Sequence, residues 1–396
     1  MSLFQIESER TNGCSTRTTV AGIIGCGARL RHIGNLLRAA AQGNVRFAYI
    51  FDPSEESCAQ AVQTLGQPTA VFDYAEMLKD TNVSWIMIGS PNNVHCEHAV
   101  AALRAGKNVF CEKPLATTVD DCVAIRDAVQ NSGRQFVVGF TLRYSPFYRE
   151  VQRLVAAGTI GKLISFEFNE TLDFNHGGYI LGDWRRMTSL SGGHLLEKCC
   201  HDVDIANWIV GARGSRVASF GGLSFFLPEN RRHIERIGKD ERGRDAYRAF
   251  PDTQNLNPFT AEKDIVDHQV MILEYANGVR ASFHTNCNSG LPERRIYLCG
   301  SEGAIRADLI KGEIEHRRIG FRETSHLIDM NKHSGGHGGG DEVMAGELAQ
   351  CMLTGAPTTT PLDTGLIAAI TCIAADEARR TGTVFDLEPV WKKVFG

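Results

Sequence analysis

The chain has 396 residues and sets 42 Lys and Arg against 46 Asp and Glu, a formal net charge of −4. That length exceeds what one hydrophobic core usually fills, so two domains are expected. The charge balance, without long like-charge blocks, excludes the electrostatic footprint of a nucleic-acid or membrane-surface binder, and no apolar run is long enough to span a bilayer. The 12 cysteines follow neither a disulfide-scaffold nor a zinc-ligand spacing, which reads as reduced thiols in a cytoplasmic protein without a bound metal.

Residues 1–18 are polar, lack a signal-peptide core and are expected to form a disordered tail. The short apolar run Val20–Ile24 then leads into Gly25-Cys26-Gly27 and a helical stretch from Arg31 to Ala41. Strand, tight turn and helix in that order bring backbone N–H groups and a favourable helix dipole to a pyrophosphate. Gly25, Gly27, Ala28 and Arg29 are therefore candidate cofactor contacts, although Gly-x-Gly alone is a weak signal and the third small position is Leu30. The next strand, Val45–Phe51, ends in Asp52, at the distance expected of a carboxylate that accepts from the adenosine ribose. Such a carboxylate would repel a 2′-phosphate, so NAD is favoured over NADP; the alternative is an Asp-Pro turn residue with no part in cofactor choice.

Alternation of strand and helix continues through residues 55–140, as a doubly wound parallel sheet of six strands requires. A helix over Glu55–Leu65 and an amphipathic turn around Tyr74–Leu78 precede the strand Val83–Ile88, which runs into Ser90-Pro91-Asn92-Asn93-Val94-His95. The strand Asn108–Cys111 then stops at Glu112-Lys113-Pro114, because proline donates no ladder bond and restricts its predecessor. Lys113 is thereby displayed at a carboxyl edge, where open α/β sheets bind ligands. A helix over Val119–Asn131 and the strand Gln135–Phe140 complete a dinucleotide-binding domain assigned to residues 19–142.

Residues 143–396 read as a second α/β domain with an open, mainly antiparallel sheet. A helix over Pro146–Ala157 is followed by alternating segments at Leu163–Leu172, Val217–Leu227, Val266–Tyr275 and Val279–Cys287, the last two flanking the hairpin signal Asn277-Gly278. Residues 229–262, rich in charges of both signs, are expected to be a solvated excursion. Between these segments, residues 191–208 read as one helix, in which Glu197, His201 and Asp204 share a face. An imidazole accepts protons near neutral pH and a neighbouring carboxylate can orient it. Other readings are a satisfied core histidine, or Glu197 paired with a nearby cation. A zinc site on His194, Glu197 and His201 lacks the His-Glu-x-x-His order of zinc proteases.

The motifs Gly25-x-Gly27, Ser90-Pro91-Asn92-x-x-His95, Glu112-Lys113-Pro114-Leu115-Ala116, Arg143-Tyr144-x-Pro146 and Gly193 to His201, in this order, closely resemble those of the glucose-fructose oxidoreductase, inositol dehydrogenase and rhizopine-catabolism (Gfo/Idh/MocA) family. The resemblance implies a Rossmann domain, a C-terminal domain with an open sheet, and a homodimer or homotetramer built on that sheet. It further implies NAD-dependent oxidation of a secondary hydroxyl of a sugar, sugar derivative or cyclitol. Lys113 falls on the lysine that contacts substrate and nicotinamide, and His201 on the acid–base histidine. Glu197 replaces a common Asp, while Leu30 and Cys199 stand where glycine is frequent. Ser90, Pro91, Asn92, His95 and Glu112 join Lys113 as candidate cofactor contacts.

These placements make His201 the base, oriented by Glu197, and Lys113 the group that stabilises the developing alkoxide, with turnover rising through an apparent pKa of about 6.5 unless neighbours shift it. Arg143, Tyr144, Trp184 and Arg185 are candidate substrate contacts. His337, in the glycine-rich segment 333–341, is another, with Asp341 capping the helix that follows. Similar glycine-histidine loops occur in branches that cleave glycosides by transient oxidation, so a redox-neutral glycosidase is an alternative, as is a sugar-sensing regulator without turnover.

Overall fold

The first strand, β1 (Thr19–Ile24), lies inside a six-stranded sheet with β2 (Val45–Phe51), β3 (Thr69–Ala70), β4 (Val83–Ile88), β5 (Asn108–Cys111) and β6 (Phe136–Val138). The computed structural model describes residues 18–250, 254, 256–331 and 337–396; the expected tail, except for its last residue, and positions 332–336 of the glycine-histidine segment lie outside the described residues. The order is β3-β2-β1-β4-β5-β6 and every pairing is parallel. Helices α1 (Ala28–Ala40), α2 (Glu55–Thr64), α3 (Ala75–Lys79), α4 (His95–Arg104) and α5 (Val119–Ser132) run between the strands. Strand order reverses between β1 and β4, which opens a crevice beyond their carboxyl ends. Because helices cover both faces, β4 is buried continuously from Trp85 to Ile88 rather than at alternate positions.

The second sheet has nine strands: β7 (Leu163–Asp173), β8 (Gly214–Gly222), β9 (His268–Tyr275), β10 (Arg280–Ser289), β11 (Arg295–Gly300), β12 (Gly303–Asp308), β13 (Glu313–Arg318), β14 (His326–Asp329) and β15 (Phe385–Asp386). All its pairings are antiparallel except β7 with β10. The β9–β10 hairpin turns at Asn277-Gly278, where Gly278 takes φ +85°, and β9 alternates buried and outward residues. Its helices are α6 (Pro146–Ala156), α7 (Phe174–Gly182), α8 (Thr188–Ser191), α9 (His194–Glu197), α10 (Cys200–Val210), α11 (Arg232–Ile237), α12 (Gly340–Thr354), α13 (Leu362–Thr381) and α14 (Glu388–Phe395).

Two expectations change. The strand expected over 217–227 stops at Gly222, because the Asp267 carboxylate takes the backbone N–H groups of Ser224, Phe225 and Phe226, at 2.7–3.2 Å, out of the ladder. The excursion at 229–262 is not merely solvated. Its buried Tyr247 and Phe259 close a small core with Phe226, at ring separations of 5.0–5.8 Å, against α7. There Gly178 is required: a Cβ at that position would lie 1.9 Å from the Tyr247 carbonyl oxygen.

The division at residue 143 is also crossed by packing, because α12, in the second assigned domain, packs into the first domain's core. Met344, Leu348, Cys351 and Met352 bury against a cluster that includes Leu30, Ile33 and Leu37 of α1, and Thr19 Oγ1 donates to the Met352 carbonyl at 3.1 Å. Residues 340–354 are thus a covering layer of the parallel sheet supplied from the far end of the chain. Leu348→Ala, which empties part of that layer, is expected to lower stability by about 2–5 kcal/mol in chemical denaturation followed by the first domain's Trp85; a loss below 1 kcal/mol, on the order of a surface change, would contradict the packing.

Candidate active site

The glycine turn sits at the switch between β1 and β4. Gly25 takes φ +81°, and a Cβ there would lie 2.3 Å from the Ser90 nitrogen, so the two strand ends close only over glycine. Gly27, by contrast, has nothing within 4 Å of where a Cβ would stand: its α-carbon borders open space at the start of α1. No side chain caps α1, so its first N–H groups are free for an anion. Leu30 fills the position where a third glycine is usual, and the space is made instead by Gly89, whose Cβ would lie 2.9 Å from Leu30 Cδ2. Asp52 accepts from Cys26 N and Ser54 N, both at 2.9 Å, which fixes its carboxylate at the edge of the turn. A cradle open at Gly27, uncapped helix N–H groups and a carboxylate at the end of β2 fit a dinucleotide.

The rest of the expected cofactor set divides. Ala28 is exposed at the mouth of the turn and Pro91 is exposed beside it. Ser90 Oγ bonds His98 Nδ1 at 2.9 Å. His95 does not reach the crevice: it is 1 % exposed, and its ring nitrogens lie 2.8 and 2.9 Å from the carbonyl oxygens of Pro114 and Ser90, clamping the two strand-end turns together. Asn92 is buried as well and donates to the Ser191 carbonyl. The Arg29 side chain turns away from the glycine turn to Glu112 (3.1 Å), Thr141 (2.7 Å) and Asp341 (2.9 Å), occupying Glu112 in the process.

Across the crevice the expected single helix is broken. It runs as α9 and restarts as α10, with Lys198 and Cys199 as the turn between them. Lys113 Nζ donates to the Glu197 carbonyl oxygen at 2.6 Å, the acceptor that the His201 N–H would use in an unbroken helix. The Glu197 carboxylate stands 3.8 Å from the same ammonium and accepts from Arg185 Nε at 2.9 Å. Burial would raise its pKa, but Lys113, Arg185 and Lys198 outweigh burial and hold it at about 2. Glu197 therefore does not hold His201, as its helical spacing predicts; the break turns it toward Lys113 and Arg185.

His201 is buried, and its Nδ1 has no hydrogen-bond partner among the described residues. Burial, with Lys113 and His337 as the leading cationic neighbours, pushes its pKa well below 6.5. The neighbours thus supply the shift allowed for above, in the direction that favours the neutral imidazole. Phe140 packs edge-on at 5.8 Å and the His337 ring lies 5.6 Å away. His337 adopts φ +53°, unusual for a residue with a side chain, and its Nδ1 is 3.3 Å from Asp341 Oδ2. Asp341 does not cap α12, whose N-cap is Gly339; it joins His337 to Arg29.

Two expected substrate contacts are structural. Arg143 makes a two-pronged pair with the buried Asp204, at 2.7 and 2.8 Å. Tyr144 is 1 % exposed with its hydroxyl on Thr360 Oγ1, inside the core that α12 completes. Trp184 and Arg185 lie together, the guanidinium 4.4 Å from the indole centroid, and Arg185 reaches the site through Glu197. Sequence reasoning missed the adjoining cavity of about 460 Å³, lined among others by Glu170, His176, Lys198, Arg294 and His337. Glu170 comes from β7, whose pattern signals the sheet and nothing about the pocket, and Arg294 from the connection just before β11.

A family model described as the oxidoreductase family NAD-binding Rossmann fold matches residues 20–140, and its C-terminal alpha/beta counterpart matches residues 152–387. Levoglucosan dehydrogenase of Pseudarthrobacter phenanthrenivorans is 28% identical over 261 residues, 65% of this chain and 63% of that protein. Inositol 2-dehydrogenase/D-chiro-inositol 3-dehydrogenase of Lactiplantibacillus plantarum is 28% identical over 223 residues, 55% of this chain and 58% of that protein, so each match spans less than two thirds of the relative. Among solved structures, a levoglucosan dehydrogenase in complex with NADH and levoglucosan superposes with a TM-score of 0.77 at 20% identity, covering 93% of this chain and 99% of that one, a likeness of fold. With both domain models matched across the greater part of its length, the chain belongs to the Gfo/Idh/MocA family of NAD-binding oxidoreductases.

Proposed function

We propose that the protein oxidises a secondary hydroxyl of a neutral sugar, sugar derivative or cyclitol with NAD, and that Lys113 and His201 perform the proton chemistry. The observation that carries this reading is the pairing of a fixed ammonium, Lys113, with a buried neutral imidazole whose Nδ1 is unpartnered. An orphaned buried nitrogen is costly unless a ligand satisfies it, and a substrate hydroxyl does so by donating to it. The glycine turn, Asp52 and the start of α1 hold the dinucleotide, whose nicotinamide supplies the hydride acceptor.

His201 takes the hydroxyl proton at Nδ1, while the Lys113 ammonium stabilises negative charge growing on the oxygen. Glu197 and Arg185 keep that ammonium in place, and Phe140 and the His337 ring exclude bulk water from the imidazole. A redox-neutral glycosidase remains the second reading, because His337 against His201 offers a second proton-transfer group on the cavity side. A regulator without turnover is disfavoured by Lys113 and His201 both standing in the crevice.

The deciding experiment incubates the protein with NAD and a panel of polyols, aldoses and glycosides. One NADH should accumulate per product; cleavage of a glycoside under catalytic NAD with no net NADH would replace the reading by the glycosidase. Lys113→Ala and His201→Ala should each lower turnover on the order of a hundredfold, with the double variant losing much less than the product of the two, because the groups act on one oxygen. Near-normal turnover of folded His201→Ala would make that histidine structural. Titration should show NAD binding at least about tenfold tighter than NADP, with the gap narrowing in Asp52→Ala, and equal affinities would make Asp52 a turn residue only.

The pH dependence follows from the direction of the histidine shifts. Neutral His201 is the base, so turnover should not step up through about 6.5 but remain level from there to pH 8, and a midpoint near 6.5 would count against it as the base. His95, His176, His194 and His201 are all depressed mainly by burial. The unfolded chain therefore binds protons that the folded one refuses, and thermal stability should already fall as pH drops from about 6.5 to 5, before the carboxylates titrate.

A further inference from the structure

The cavity beside His201 is lined by a buried carboxylate, next to that of Asp202, one of whose oxygens accepts no hydrogen bond among the described residues. Glu170 on β7 is 4 % exposed and lines the cavity. Its Oε1 lies 3.1 Å from Arg294 Nη2 and 3.4 Å from Lys198 Nζ, but Oε2 has no hydrogen-bond partner among the described residues. Arg294 is already committed to Asp202 by two bonds of 2.8 and 2.7 Å, so it fixes Glu170 rather than serving a ligand. Among the described residues Lys198 forms an ion pair with Glu170 alone, and an ammonium has three protons to donate. The helix break between α9 and α10 brings it there: Lys198 occupies the turn, one residue from Glu197 and three from His201.

A buried carboxylate oxygen without a donor, beside an ammonium with donors to spare, is complementary to neighbouring hydroxyls. We propose that Glu170 and Lys198 form a subsite for a vicinal diol of the substrate, one hydroxyl donating to Glu170 Oε2 and the adjacent one accepting from Lys198 Nζ. The proposal rests on the reading above and narrows its substrate class. Lining charges also select: Glu170, Asp173 and Glu293 face Lys198 and Arg294, with Asp202 behind Arg294, so no excess positive charge awaits a carboxylate or phosphate. Arg294 and Lys198, with a hydrogen bond shared with Asp202, outweigh burial and lower the pKa of Glu170, which favours its acceptor form. Next to His201 and His337, the subsite would hold the ring away from the reacting carbon and fix which hydroxyl meets Lys113.

The test measures calorimetric binding of myo-inositol, D-glucose, their monodeoxy analogues, D-glucuronate and inositol 1-phosphate to the NADH-loaded protein. In the wild type, removal of either of two adjacent hydroxyls should weaken binding about ten- to a hundredfold, and the two anionic probes should bind more weakly than the neutral parents. Glu170→Gln and Lys198→Met should each bind the parent polyol more weakly and each abolish the penalty for one hydroxyl of the pair, with NADH affinity unchanged. Parent binding within twofold of wild type in both variants, sensitive hydroxyls that are not adjacent, tighter binding of an anionic probe, or no binding of any probe would each overturn the subsite. Should a variant fail to fold, the wild-type deoxy series reads the same contacts from the ligand side. Diol binding that depends on Glu170 and Lys198 without any nicotinamide reduction overturns the dehydrogenase reading alone, whereas undiminished polyol oxidation and binding by both variants overturns the subsite alone.

Discussion

The Lys113 ammonium lies 2.6 Å from the Glu197 carbonyl oxygen, and the geometry of the site depends on that contact. A strand that ends before proline delivers the charge to the carbonyl end of a short helix, where the helix dipole favours a cation. With that carbonyl engaged, the chain turns at Lys198-Cys199 before helix resumes. The turn sends the charged side chains of this run to separate partners. Glu197 points to Arg185, Lys198 to Glu170, Asp202 to Arg294 and Asp204 to Arg143. Each of these carboxylates is buried and ionically paired, and removing one partner of such a pair typically costs about 3–5 kcal/mol, so the arrangement is rigid. His201 is the member left with an unpaired nitrogen.

A second set of contacts joins the two domains at the same place. Arg29, at the start of α1, bridges Glu112 after β5, Thr141 after β6 and Asp341 in the first turn of α12. Asp341 also holds His337, and His337 faces His201. The glycine turn and the imidazole are thus connected through three side chains, Arg29, Asp341 and His337, and α12 carries the connection because it packs on α1 with its own apolar face. Arg29 is half-buried, and although burial acts against its charge, Glu112 and Asp341 outweigh burial and raise its pKa, so the bridge is ionic at any physiological pH.

Much of the first domain was legible from local pattern. Short apolar runs punctuated by Gly25, Asp52, Ser90 and Lys113 require strands that end at one edge, and a parallel sheet follows because each crossover carries a helix. Only β3, two residues long, is too short to leave a periodic signal. In the second domain Asn277-Gly278 announced its hairpin, while the end of β8 escaped notice because it is set by Asp267, some forty positions away. The insertion at 229–262 misled for a related reason. Its charges lie outside and its anchors, Tyr247 and Phe259, are spaced without period, so composition records the surface and not the small core beneath.

The sequence by itself determined which residues are candidates for the proposed chemistry: Lys113 at a strand edge, a glycine turn followed by an acidic strand end, and a histidine within reach of carboxylates. Residue type and spacing along one element suffice for that, because helix and strand periodicities are local properties of the backbone. Tertiary structure decided which of those groups touch. Helical spacing joined Glu197 to His201, but a lysine from another domain took the intervening carbonyl and turned the carboxylate away. Arg143 and Tyr144 lay near the site in sequence and are sealed into its supports, while Glu170, Arg294 and Asp341, unremarkable in their own segments, are brought beside it. Pairing of buried charges is settled by distance in space, and contacts between residues up to 333 positions apart leave no period in the chain to be read.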